Sequence, residues 1–154
     1  MNKTILFYLV PLLVLVACGV QYQTYTDGSF SVNYPKWHEN NQAPNANVVV
    51  NVNDASCAVQ IQKIAIGAAG FQATANFITA IAEKTGQFTL INKDITSDHA
   101  NIDYKTGINN VVYQSSVRAK SCGQIAYAVF FACKEDQFSK NAEVMNQVFG
   151  SMKC

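Results

Sequence analysis

The sequence predicts an α+β fold: an antiparallel β-sheet of about six to seven strands packed with two helices, in the order βββαββββα. Three observations predict it. Several short segments alternate apolar and polar side chains with a period of two, as half-buried strands do. Two longer stretches, 71–86 and 138–152, instead carry apolar residues at helical spacing. Turn residues leave only short connections between most period-two segments, so neighbouring strands join as hairpins and the helices stand apart.

Residues 18–26 are short and polar and read as a tether, which leaves one domain over 27–154. Asp27-Gly28 is a turn signal. Phe30, Val32 and Tyr34 then alternate with Ser31 and Asn33 up to Pro35. The stretch 38–47, HENNQAPNAN, has no periodicity and reads as a surface loop. Val48, Val50 and Val52 form the inward side of the second strand. After the turn at Asp54-Ala55-Ser56, a third strand starts at Cys57, with Val59 and Ile61 opposite Gln60 and Gln62. Gly67 and Gly70 end it. The helix 71–86 places Phe71, Ala75, Ile78 and Ala82 inward, with Phe77 and Ile81 beside them, and Gly86 closes it as a C-cap.

Strands resume at Phe88. Ala100, Ile102 and Tyr104 alternate with Asn101, Asp103 and Lys105, and Thr106-Gly107 starts a turn. Val111, Tyr113 and Val117 follow on the next strand, which ends at the turn 120–123. The segment QIAYAVFFAC, 124–133, is apolar on both faces, as in a strand covered on both sides at the centre of a sheet. The last helix aligns Ala142, Met145, Val148, Phe149 and Met152.

Residues 1–17 have the parts of a secretory signal. Asn2 and Lys3 open it, Ile5 to Val16 form 12 apolar residues, and Ala17 precedes Cys18. Twelve residues with Pro11 among them fall short of the ~20 that cross a bilayer as a helix. Leu15-Val16-Ala17-Cys18 resembles the bacterial lipobox, which implies acylation of Cys18 and anchoring by two or more acyl chains. Gly19 in place of Asp after that cysteine implies an outer-membrane address facing the periplasm where two membranes exist.

The 154 residues carry 11 Lys and Arg against 10 Asp and Glu. Removal of Lys3 with the signal balances them. With no basic cluster, the chain is expected to bind no nucleic acid and to meet the membrane only through its lipid.

Cys57, Cys122, Cys133 and Cys154 follow Cys18, and an even number in an exported chain reads as two disulfides. Counting chain reversals selects among the three connectivities. Let the Cys57 strand start at one end of the sheet, and let the helix 71–86 return the chain to that end. Three hairpins then put Cys122 at the far end. The last strand brings Cys133 back, and the final helix carries Cys154 away again. Cys57–Cys133 with Cys122–Cys154 keeps both bridges local, and makes the Cys57 strand an antiparallel neighbour of 124–133.

Asp27-Gly-x-Phe-Ser-Val-x-Tyr-Pro-x-Trp37 resembles the opening of the PsbP-like domain. The closing order is similar too: a strand at Ala126 to Phe131, an acidic turn at Glu135-Asp136, a helix, then Ser151-Met152. With the lipobox, the layout resembles bacterial envelope lipoproteins of the DcrB type. The proline-to-tryptophan spacing here is one residue shorter than the family's. Members include photosystem II extrinsic subunits, a Ran-binding nuclear import factor and envelope lipoproteins. The resemblance implies a non-catalytic accessory role, with no catalytic residue and no cofactor to carry over.

Candidate sites are few. Trp37, His38, Asn40 and Asn41 could form a binding rim, since loops on a rigid scaffold carry recognition. Trp37 serves equally as a cover for the sheet end, and His38 as the start of a solvated loop. Asp98 and His99 are a carboxylate–imidazole pair, but neighbours on a strand point to opposite faces and are not expected to share a metal. Glu135-Asp136 suits a helix start. No Gly-x-Ser-x-Gly, phosphate loop or HExxH occurs. The expectation is a lipid-anchored, non-catalytic accessory or binding module that docks on another envelope protein. Its rivals are a small-molecule or metal carrier with a pocket between sheet and helix, and a hydrolase with residues scattered over the strands.

Overall fold

The computed structural model describes residues 19–40, 46–52, 54–84, 86 and 88–154. The segment 1–17, Cys18 and Asn41 lie outside the described residues. In chain order the elements are β1 (Tyr22–Asp27), β2 (Phe30–Pro35), β3 (His38–Glu39), β4 (Val48–Asn51), β5 (Cys57–Ala65), α1 (Phe71–Lys84), β6 (Phe88–Ile95), β7 (His99–Ile108), β8 (Val111–Cys122), β9 (Ile125–Lys134), α2 (Glu135–Phe138), a 3₁₀ turn (Ser139–Asn141) and α3 (Ala142–Gly150). Seven strands form one sheet in the order β3-β4-β5-β9-β8-β7-β6, every neighbouring pair antiparallel.

The doubly apolar β9 is the middle strand. Its side chains alternate between two covered faces. On face one, Tyr127, Val129, Phe131 and Cys133 join Val59 and Ile61 of β5, and this core is roofed by the β1–β2 hairpin and α3. Phe30 of β2 stacks on Tyr127, ring centroids 4.2 Å apart, and Val148 of α3 is fully buried. Each such side chain contributes roughly 1.5–3 kcal/mol by leaving water. On face two, Ala126, Ala128 and Phe130 join Ala100, Val117 and Ala119 under α1.

Cys57 lies directly opposite Cys133 in the β5–β9 register, and the two form a disulfide with 4.0 Å between their Cα atoms. Cys122, at the far end of β8, is bonded to Cys154. The strand-counting expectation and the structure agree on both pairs.

Five expectations are corrected. Much of the stretch assigned to the 18–26 tether is strand: Tyr22 to Asp27 pair with β2 through all six residues. Tyr22 and Tyr25 pack against the face-one core, and aromatic burial outweighs the polar look of the segment. This hairpin is a separate two-stranded sheet, so the expected first strand is not in the main sheet. The loop expected at 38–47 begins as β3, with His38 opposite Asn51. The turn expected at Thr106-Gly107 lies further on. β7 runs through Ile108, and Asn109 and Asn110 take φ of 50° and 64°, the left-handed pair that a tight hairpin requires and Asn tolerates. Finally, the last helix begins at Glu135 and is interrupted at Ser139–Asn141, where Ser and Asn are weak helix formers.

Candidate binding site

Face two sets many small residues among larger ones such as Ile102, Tyr104, Val117 and Phe130. β9 offers Ala126, Ala128 and Ala132, β8 offers Ala119, and β7 offers Ala100, where face one carries aromatic and branched side chains. Helix α1 adds to this with Ala75, Thr79 and Ala82. Phe71 at its start is buried, but its other large residues turn outward: Phe77 is 67% exposed, Ile78 and Ile81 each 48%. The expected inward Ile78 therefore lies at a margin. Small side chains on both surfaces leave a gap, because the backbones cannot close beyond ordinary contact distance.

The gap is a cavity of about 200 Å³ between α1 and the sheet. Val117, Ala128 and Phe130 line its floor, Ala75 and Thr79 its roof. The polar atoms of its threonines are already engaged. Thr74 Oγ1 donates to the Gly70 carbonyl and Thr79 Oγ1 to the Ala75 carbonyl, at 2.9 and 2.7 Å. Both hydroxyls are thus satisfied by their own backbone. The half-exposed Ile78 and Leu90 line the cavity as well, so it opens between α1 and the edge strand β6. Lys93 Nζ bonds Glu83 Oε1 at 3.2 Å, tying β6 to α1.

Beyond this cavity, toward the Cys57–Cys133 end, face two has no helix over it. An open groove of about 700 Å³ lies there, lined by Ala58, Ala132, Thr106, Asn109, Tyr113 and Ser115 among others. Phe88 and Tyr104 line both hollows. Their rings meet edge to face, the favoured arrangement of aromatic quadrupoles, with centroids 4.9 Å apart. Burial pushes the Tyr104 phenol up, with the Ser115 hydroxyl opposing. Tyr104 and Ser115 are register partners across β7 and β8.

The residues singled out from sequence lie elsewhere. Trp37 is half-buried on the face-one core, its ring 6.2 Å from that of Phe131. His38 is exposed on β3, and Asn40 N–H bonds the Val49 carbonyl at 2.8 Å. Trp37 and His38 border a shallow depression with Lys36, Val52 and Asp54 at the edge of the sheet opposite β6. Asp98 and His99 do meet, contrary to the strand argument: His99 Nδ1 lies 3.0 Å from Asp98 Oδ1. Asp98 sits in the bend before β7, where strand alternation does not hold. Thr96 Oγ1 donates to the same carboxylate, and with His99 holds it below its usual range. Among the described residues no group of three or more His, Cys, Asp or Glu is placed to hold a metal. Glu135 begins α2 and pairs with Lys105.

A pocket between sheet and helix was expected only as a rival reading, and no residue lining the face-two hollows was singled out as a site. Their trace is the pattern Ala126-x-Ala128-x-Phe130-x-Ala132, which puts small residues on one side of a strand and large ones on the other.

No protein-family model matches the sequence. No curated protein matches it either. Solved structures do. A cyanobacterial PsbP from Synechocystis sp. PCC 6803 superposes with a TM-score of 0.64 at 15% identity, over 93% of this chain and 98% of that one. The fold is PsbP-like. The Ran-binding protein Mog1p of Saccharomyces cerevisiae superposes at 0.57 with 6% identity, covering 87% of this chain and 95% of its own. LpqN of Mycobacterium tuberculosis, described as involved in cell envelope biogenesis, gives 0.54 at 10% identity, over 87% and 90%. At these identities the likeness is one of fold, and one PsbP-like scaffold serves proteins as different as these.

Proposed function

We propose that the protein is a non-catalytic binding module of the cell envelope, tethered by lipid on Cys18, that shelters an apolar group on face two. The observation that carries this reading is the cavity beneath α1. An apolar cavity of ~150 Å³ stays dry and accepts a small apolar guest, and this one is about 200 Å³. Drug-sized polar ligands need ~300–1,000 Å³ with convergent polar groups. The envelope address is supported by the lipobox-like Leu15-Val16-Ala17-Cys18 and by the fold shared with LpqN. Uptake of 1-octanol, followed by amide NMR shifts at Ala126 and Ala128, tests the reading. Unchanged spectra up to the solubility limit of octanol would end it.

The second reading, docking on another envelope protein, is favoured by the outward Phe77 and Ile81 of α1. A photo-crosslinking residue at position 77, activated in intact cells, should then give one discrete adduct. No adduct at 77, with normal export, removes this reading.

A further inference from the structure

We infer that the two hollows of face two form one site for an uncharged amphiphile, whose slender hydrocarbon tail lies beneath α1 and whose hydroxyl-bearing head occupies the groove. This rests on the apolar-guest reading and extends it to a ligand class. The cavity selects the tail. Its threonine hydroxyls are engaged by nearby backbone, its Glu83 carboxylate by Lys93 and its Tyr104 phenol by Ser115, so a polar group inside would lose its water for little in return. The groove selects the head. Among the described residues its lining holds no Lys, Arg, His, Asp or Glu, so a charged head gains no ion pair from them. The Tyr113 hydroxyl and the Asn109 amide line it instead, with Thr106 and the buried Ser115 beside them, and hydroxyl and amide groups can each donate or accept. The size contrast agrees: about 200 Å³ for the tail and about 700 Å³ for the head. Phe88 and Tyr104, shared by both linings, are the threshold across which the molecule would lie. The Tyr104 ring belongs to the apolar side, while Ser115 beside it belongs to the groove. Both stand on the sheet, so the threshold is fixed by register and not by a loop.

The test uses the full chain carrying Cys18→Ser, so that no attached acyl chain competes, with n-alkyl β-glucosides of increasing length below their micelle concentrations. Affinity should rise about fourfold per added methylene until the cavity is full and then level off. Octyl glucoside should bind more tightly than octanoate, and free glucose should not bind measurably. Tyr113→Phe should weaken octyl glucoside several-fold and leave 1-octanol unchanged. Ala82→Leu fills the cavity from a helix position that favours Leu, and should flatten the length dependence. Should that variant fail to fold, amide shifts in the wild-type chain decide: glucoside must move both the Ala126–Ala128 and the Thr106–Tyr113 signals. Equal affinity for glucoside, octanoate and octanol, with Tyr113→Phe silent, overturns the two-part site while leaving the apolar cavity. Failure of octanol itself to bind overturns the reading beneath it.

Discussion

Phe88 and Tyr104 meet edge to face at 84° between ring planes, and this one pair divides the hollow surface of the sheet into an apolar part beneath α1 and an uncovered part that adds hydroxyl and amide groups. Phe88 stands on the edge strand β6 and Tyr104 on its neighbour β7, two residues apart in register. The division therefore depends on a strand that is paired on one side only.

Phe88→Ala should join the two hollows. A fully buried Phe costs ~3–5 kcal/mol when truncated, and the half-buried Phe88 should cost about 2 kcal/mol. Urea denaturation checks this. A loss below about 0.5 kcal/mol, the range of ordinary surface changes, would mean that the ring pair carries no packing energy.

The bridges should dominate stability. With separations of 76 and 32 residues, the chain-entropy model assigns at most about 4.5 kcal/mol to Cys57–Cys133 and about 3.7 kcal/mol to Cys122–Cys154. A domain of this size has a net stability of ~5–15 kcal/mol. Replacing all four cysteines with alanine should leave it largely unfolded at 37 °C, and each pair alone should lower the urea midpoint, Cys57–Cys133 by more. Non-reducing peptide mapping should recover the two linked peptides. A peptide joining Cys57 to Cys122 contradicts the topology.

Acid should weaken the fold through Asp27 and Asp98. The Lys63 ammonium, 2.8 Å away, holds the Asp27 carboxyl below its ordinary 3.8, and Thr96 and His99 do the same for Asp98. A depressed carboxylate contributes stability above its unfolded pKa, and that contribution fades as pH falls through the folded value. Lys63 is raised above 10.5 by the same partner, so its share persists through neutral pH and is lost only as pH climbs through that raised value. Asp27→Asn should flatten the decline in melting temperature below about pH 4. An unchanged acid limb in both Asp27→Asn and Asp98→Asn would locate the acid sensitivity in other carboxylates. Since these groups are exposed, the effect should also shrink in salt.

Cys18→Ser should release the protein from membranes or leave it as an unprocessed precursor. Labelling cells with a radioactive fatty acid reads this out directly. Wild-type chain that takes up no label would end the lipid-anchor proposal.

Much of the fold was legible because burial imposes period. The face-one residues Val59, Ile61, Val129 and Phe131 alternate with polar or face-two neighbours, and the pattern names strand and face together. The central place of β9 followed from its two apolar sides, and both disulfides followed from counting strand directions. Strand β2 was legible, but β1, its pairing with β2 outside the main sheet, and β3 were not. β1 is held by the burial of two tyrosines, and β3 is only two residues long, too short for any period. The site was harder for a physical reason. A cavity arises where two small-residue surfaces face each other, and alanines on β7, β8, β9 and α1 are separated in sequence by dozens of ordinary residues. The aromatic Trp37 and the imidazoles of His38 and His99 drew notice as chemistry, while the space lay among side chains with almost none.

Ser31 of β2 exchanges two backbone hydrogen bonds with Lys153, each 2.9 Å, and Asn33 N–H bonds the Ser151 hydroxyl at 2.8 Å. An early hairpin thus finds its seat in residues made much later, 118 positions along the chain for the Asn33–Ser151 contact. Order of synthesis and order of closure run in opposite directions. While the chain is still growing, the hairpin can form its own turn but has no completed roof to join, and Phe30 and Val32 stay uncovered. A chain that stopped at Gly150 would hold every strand of the main sheet and no clasp. Quality control could recognise such a product by the loose hairpin, although the damage lies more than a hundred residues further on.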